Sequence, residues 1–265
     1  MYFDYKNTRI FYETFGSPAK PAVLLLHGFT ENGLMWDPVI DAFYDDFLFV
    51  VPDLLGHGKS GLTGRFLTME EQAEAAGLLL EFLGIKQVSL IGHSMGGYTA
   101  LAFAEMFPDM LKGLMLYHSK PQADDPEKAA GRDQAIRSVQ EDKFGFLSHA
   151  IRGFFAPYNR EKFDTEIRDL VEMAAMMPVE GITGALRGMK IRKDRSDIFF
   201  RHDHIVKGWI VGRDDPLIDF NRLASMAAQH PHIHFYPIQG GHMSYVENPE
   251  EMINALEDFL KKTYA

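Results

Sequence analysis

Three residue types that together cleave acyl bonds stand in order along the chain. They are a serine in Gly92-His93-Ser94-Met95-Gly96, a carboxylate in Gly212-Arg213-Asp214-Asp215, and a histidine in Gln239-Gly240-Gly241-His242. A serine hydroxyl is a weak nucleophile until a neighbouring base takes its proton. Imidazole is the commonest such base, and a carboxylate behind it fixes the tautomer and steadies the positive charge. The five-residue serine pattern is short, so its setting carries the argument. Val88-Ser89-Leu90-Ile91 is an apolar run with β-branched residues, and a helix-like segment runs from Gly97 to about Glu105. Strand, sharp turn and helix form a nucleophile elbow, which holds the serine oxygen clear of the backbone at a helix N-terminus. Gly92 and Gly96 suit that turn, because side chains there would collide with the strand and the helix.

The other two residues need elements that deliver them to the same place. Ile233-His234-Phe235-Tyr236-Pro237-Ile238 reads as a strand, and His242 follows it on a glycine-rich loop. Asn248-Pro249-Glu250-Glu251 then opens a helix, with Asn248 as N-cap and Pro249 in the first turn. His204 to Val211 reads as another strand, ending at Gly212-Arg213-Asp214-Asp215-Pro216. Both loops therefore leave the C-terminal ends of strands, the edge where open α/β sheets carry their chemistry.

Upstream, Tyr2-Phe3-Asp4-Tyr5 and Arg9 to Glu13 predict a hairpin. Ala22 to Leu26 and Phe47 to Val51 predict buried strands, and Leu114 to Tyr117 a further one. Helices are expected from about Trp36 to Tyr44 and from the Thr68-Met69-Glu70-Glu71 cap to about Leu83. Strands alternating with helices imply parallel crossovers and an α/β fold. Between Ser119 and about Asp197 the alternation stops. Charged helical stretches over Pro126 to Glu141, Glu161 to Met177 and Gly184 to Arg192 predict a helical insertion, since a loop of that length would be abnormal.

Taken together these segments resemble the α/β-hydrolase fold superfamily over nearly the whole chain. The likeness rests on Leu26-His27-Gly28-Phe29, Asp53-Leu54-Leu55-Gly56-His57-Gly58-Lys59-Ser60, the elbow, Gly212-Arg213-Asp214-Asp215 and Gly241-His242, in that order. It implies a mostly parallel central sheet with helices on both faces, a core built from residues 1–118 and 198–265, and a helical cap over 119–197. It implies Ser94 as nucleophile, His242 as general base and acid, and Asp215 as the orienting acid, with Asp214 the alternative. It also implies an oxyanion hole from the backbone N–H groups of Phe29 and Met95. Phe154, Phe155, Met173, Met176 and Met177 are candidates for the apolar inner face of the cap over the substrate.

Other polar residues in these loops have structural readings. Asp53 is expected to brace the Gly56-His57-Gly58 turn by accepting backbone N–H bonds. His27 and His57 are expected to hold structural hydrogen bonds, and His93 to pack. His202-Asp203-His204 and His230-Pro231-His232-Ile233-His234 lack the spacing of known zinc motifs, so no metal is expected. The chain has no cysteine, which excludes disulfides and cysteine-ligated metals. With 27 basic against 37 acidic residues, its net charge of −10 argues against nucleic acid as a partner. No apolar run approaches a membrane span and the N-terminus lacks a signal-peptide pattern, so a cytoplasmic enzyme is expected by elimination.

The leading functional expectation is hydrolysis of small carboxylic esters through an acyl-serine intermediate, without a cofactor. The same triad could cleave a lactone, amide, thioester or carbon–carbon bond. A non-enzymatic ligand sensor comes last, because serine, acid and histidine are all present. The serine argues against dehalogenases and epoxide hydrolases of this superfamily, whose nucleophile is aspartate.

Overall fold

Strands buried on both faces read as unbroken apolar runs, and several segments of this chain do so. The computed structural model describes all of Met1–Ala265. The chain opens with an antiparallel hairpin, β1 (Tyr2–Tyr5) and β2 (Thr8–Phe15), and continues through β3 (Ala22–Leu26), α1 (Asp37–Phe43) and β4 (Leu48–Pro52). Next come α2 (Met69–Phe82), β5 (Val88–His93), α3 (Met95–Met106) and β6 (Leu111–Tyr117). Val23, Leu24, Leu25 and Leu26 are all wholly buried. Successive strand residues point to opposite faces, so both faces of the sheet are covered.

Five helices separate β6 from the next strand: α4 (Pro126–Glu141), α5 (Lys143–Phe154), α6 (Asp164–Ala175), α7 (Val179–Lys190) and α8 (Ser196–Phe200). The chain then returns through β7 (Val206–Gly212), α9 (Phe220–Ala228), β8 (Ile233–Ile238), α10 (Ser244–Glu247) and α11 (Pro249–Tyr264). The eight strands lie in the order β1-β2-β4-β3-β5-β6-β7-β8. All neighbours from β4 to β8 are parallel, while β2 meets β4 antiparallel. The order reverses at β3, which lies between β4 and β5. Such a switch point opens a crevice beyond the strand ends.

Helix α5 is an element the sequence reading missed. It lies between the expected helical stretches Pro126 to Glu141 and Glu161 to Met177, running to Phe154 and stopping before Pro157. Its start is set by Asp142, whose side chain accepts the Gly145 N–H at 2.9 Å. Residues of the insertion, including Val139, Leu147, Phe155, Ile167 and Val171, belong to the same contiguous apolar cluster as the sheet. The insertion therefore shares the core of the sheet. No helix is long and apolar enough to cross a membrane.

Candidate active site

The strand–turn–helix around Ser94 forces a rare backbone. Ser94 has φ 51° and ψ −112°, a conformation that costs a non-glycine residue about 1–3 kcal/mol. Neighbouring elements hold it there. The Ser94 N–H donates to Tyr117 O at 2.8 Å, and Ser119 Oγ–H donates to Ser94 O at 2.8 Å. A side chain on Gly92 would meet the Gly96 carbonyl, and one on Gly96 would meet the carbonyls of Leu26 and His27. The turn thus packs too closely for anything but glycine at both positions.

Sheet register brings the other loops to this edge. Leu26 pairs with Gly92, so His27-Gly28-Phe29 leaves β3 beside the elbow. Tyr117 pairs with Ile210 and Gly212 with Ile238, which aligns the loops after β6, β7 and β8. His242 Nε2 lies 2.8 Å from Ser94 Oγ and His242 Nδ1 lies 2.7 Å from Asp215 Oδ2. Asp214 instead accepts the Tyr158 hydroxyl at 2.8 Å in an exposed position. Asp215 is buried, with Oδ1 accepting the Leu217 N–H at 2.8 Å. Burial opposes its ionisation, but His242 and His118 beside it hold the carboxyl well below its ordinary value.

Two contributors escaped the sequence reading. His118, at the end of β6, places Nδ1 at 3.0 Å from Asp215 Oδ2, so two imidazoles share one carboxylate oxygen. Its Nε2 lies 2.6 Å from Ser244 Oγ, which also meets the Tyr117 hydroxyl. Burial pushes the His118 imidazole down to about 4, so it is neutral near pH 7. His118, Asp215 and His242 hold donor atoms within 4.8 Å of one another, close enough for a metal. Those atoms are already engaged with each other and with Ser94 and Ser244.

The second contributor is Glu31. Its Oε2 accepts the Gly28 N–H at 2.6 Å and faces His93 Nδ1 at 2.8 Å. His93 Nε2 faces the His242 carbonyl at 3.0 Å, so both ring nitrogens point at acceptors. Burial works against the imidazolium, but the Glu31 carboxylate outweighs it and raises His93 above its ordinary value. The buried Glu31–His93 contact thereby ties the Gly28 loop, the elbow strand and the His242 loop together. Neither Glu31 nor His118 sits in a short motif, and only the fold brings them to their partners.

Phe29 and Met95 occupy the expected positions, one on the loop after β3 and the other opening α3. Asp53 accepts N–H bonds from Lys59 at 2.7 Å and Gly33 at 2.9 Å, bracing its turn from both sides. His27 Nε2 accepts the Leu54 N–H at 2.8 Å, and His57 Nδ1 lies 3.1 Å from Leu55 O. Of the clustered histidines, the rings of His202 and His232 lie 5.0 Å apart and His230 stacks on Phe200.

Ser94 and His242 open into a cavity of about 430 Å³, within the range of small-ligand sites. Phe29, Tyr98, Phe146, Phe154, Leu186 and Met189 supply apolar wall, and Lys120, Asp124, Lys128 and Arg132 supply charge. Among the expected cap residues, only Phe154 lines this cavity; its ring lies 5.8 Å from that of His242. Phe155 is wholly buried against Phe163, inside the insertion. Met173, Met176 and Met177 line a separate cavity of about 380 Å³ beside Thr30, Asn32 and Asp53. The reason is the direction of α6, whose C-terminal end leads to that second cavity while α4, α5 and α7 wall the first.

Comparison with known proteins agrees with this architecture. Residues 21–249 match the family described by the alpha/beta hydrolase fold. Among solved structures, an esterase from Thermogutta terrifontis, described as malate bound, superposes with a TM-score of 0.90 at 30% identity, covering 97% of this chain and 95% of the other. Among curated proteins, 3-oxoadipate enol-lactonase 2 of Acinetobacter baylyi is 23% identical over 95% of this chain and 92% of its own. An uncharacterised protein of Mycobacterium tuberculosis is 38% identical, but the match spans only 36% of this chain and 28% of that protein. With the family match running from β3 into the start of α11, the chain belongs to the alpha/beta hydrolase fold family.

Proposed function

We propose that this protein is a serine hydrolase of small carboxylic esters, working through an acyl-serine intermediate. The observation that carries this reading is His242 bridging Ser94 Oγ at 2.8 Å and Asp215 Oδ2 at 2.7 Å, beside a cavity of small-ligand size. Ser94 Oγ attacks the ester carbonyl carbon while His242 Nε2 takes its proton. Negative charge moves to the carbonyl oxygen, which accepts from the Phe29 and Met95 N–H groups. Collapse expels the alcohol, which leaves with the proton from His242. Water, deprotonated by His242, then attacks the acyl-serine, and the acid departs as Ser94 recovers its proton. Asp215 holds the imidazole with Nε2 free to accept and stabilises the imidazolium.

Similarity to the Thermogutta esterase over nearly all of both chains supports the ester reading. Similarity to the enol-lactonase supports a lactone as second substrate type, since a lactone is an ester whose alcohol stays attached. A panel of esters of graded acyl length and a simple lactone, assayed on wild type and Ser94→Ala, tests both. Turnover that disappears in Ser94→Ala, with labelling of wild type by a serine-reactive phosphonate, is the expected result. An unchanged rate in the variant refutes the assignment of Ser94.

A further inference from the structure

Between β6 and α4 the chain places a lysine on the wall of the Ser94 cavity with no carboxylate in contact. Lys120 makes neither an ion pair nor a side-chain hydrogen bond, although the cavity half-buries it. Lys128 and Arg132, one turn apart on α4, line the same cavity. The acidic groups nearby are already committed. Asp124 is paired with Arg132 at 2.6 Å and with buried Arg192 at 2.8 Å. Asp125 caps α4 through the Lys128 N–H at 2.8 Å, and Asp194 accepts the Ser196 N–H at 2.8 Å. Deeper toward Ser94, Glu31 and Asp215 face His93 and His242. A half-buried ammonium without a partner is costly, and a ligand that supplies an anion removes that cost.

Apolar residues fill much of the remaining wall, so the cavity offers an oily path with a reactive serine and an unpaired cation on its surface. We infer that Lys120, with Lys128 beside it, forms an anion subsite of this cavity, and that the substrate is a small ester or lactone carrying a free carboxylate. The inference rests on the ester-hydrolase reading above and names its substrate class. Lysine suits the task as a point charge on a flexible stem, accepting a carboxylate without demanding one geometry. Burial, together with the nearby Lys128 and Arg192 cations, pushes Lys120 down to about 8, which an incoming carboxylate would reverse.

The test compares esters matched in shape but not in charge. On the acyl side, the p-nitrophenyl half-ester of glutarate is set against p-nitrophenyl valerate. On the alcohol side, the butyrate ester of glycolate is set against propyl butyrate. Wild type is expected to favour the charged member of at least one pair by roughly tenfold to a hundredfold in kcat/KM, the span of a charge-assisted hydrogen bond. Lys120→Met should lower that ratio toward one, and Lys120→Arg should retain most of it. The ratio is taken within one preparation, so partial unfolding of a variant does not distort it. A wild type that prefers both neutral esters, or a preference that survives in Lys120→Met, overturns the subsite.

Binding separates the two readings. Free glutarate should raise the melting temperature of wild type and leave that of Lys120→Met unmoved. If no ester is hydrolysed but glutarate stabilises only wild type, the ester reading fails and the subsite stands. If esters are hydrolysed without charge preference and glutarate has no effect, the subsite fails and the ester reading stands.

Discussion

Asp215→Asn is the most informative single substitution, because three nitrogens crowd onto the aspartate at once. His242 Nδ1 lies 2.7 Å and His118 Nδ1 3.0 Å from Oδ2, while the Leu217 N–H reaches Oδ1 at 2.8 Å. Asparagine keeps the shape but offers one acceptor oxygen in place of two. With its NH₂ toward the rings, His242 must accept at Nδ1 and carry its proton on Nε2, aimed at Ser94 and unable to take the serine proton. With its NH₂ toward Leu217, two donors face each other in a buried site. Loss of the charge on Asp215 removes about 1.5–3 kcal/mol of imidazolium stabilisation, and the wrong tautomer adds a comparable amount. The sum, roughly 3–6 kcal/mol, is a fall in kcat of about a hundredfold to ten-thousandfold.

The assay is steady-state hydrolysis of p-nitrophenyl butyrate, with thermal melting to confirm the fold. The control is Asp214→Asn, whose only side-chain partner is the exposed Tyr158 hydroxyl. It should stay within about threefold of wild type, as surface changes usually do. A kcat for Asp215→Asn within tenfold of wild type, with normal melting, would refute the argument. So would a larger loss in the Asp214 control.

Two further predictions concern stability. Ser94→Gly and Ser94→Ala both lose the hydroxyl, so their difference isolates the cost of φ 51° at this position. Glycine should be the more stable by about 1 kcal/mol in urea unfolding, and a more stable alanine variant would show that the elbow is unstrained. Acid should also weaken the fold before the carboxylates titrate. Burial pushes His27 and His118 down to about 4 and His57 to about 3, so all three stay neutral when folded. The unfolded chain protonates them below about pH 6.5 and therefore binds more protons, so stability falls as pH drops from about 6.5 toward 4. Each contributes up to about 1.4 kcal/mol per pH unit, whereas His93, raised by Glu31, is protonated in both states across this window and leaves the slope unchanged. Guanidinium unfolding at pH 7, 5.5 and 4.5 measures the slope; a flat or rising stability toward acid contradicts it.

Local chemistry made much of this protein legible in advance. The unbroken apolar runs of β3 and β4 announce a sheet covered on both faces, and the capping residues Thr68 and Asn248 mark helix starts that the structure shares. Gly92 and Gly96 are readable because backbone crowding there leaves no room for a side chain. The insertion was harder. Phe154 and Phe155 are adjacent and chemically identical, yet one faces His242 and the other is buried against Phe163. Met173, Met176 and Met177 carry a suitable apolar pattern and line another cavity. An apolar residue on a cap helix must be covered, but which surface covers it depends on how that helix is laid over the sheet.

By itself, the sequence determined the elements and the order in which serine, acid and histidine loops leave the strands, because those features depend on neighbours in the chain. The tertiary structure decided the rest. It placed His118 on the same carboxylate as His242, paired Glu31 with His93 beneath the elbow, and left Lys120 unpaired on the wall beside Ser94. These contacts join segments that lie from tens of residues to about a hundred apart in the chain. The glycine-flanked turn around Ser94 is written in five consecutive residues, whereas the cavity beside it exists only once α4, α5 and α7 have closed over it.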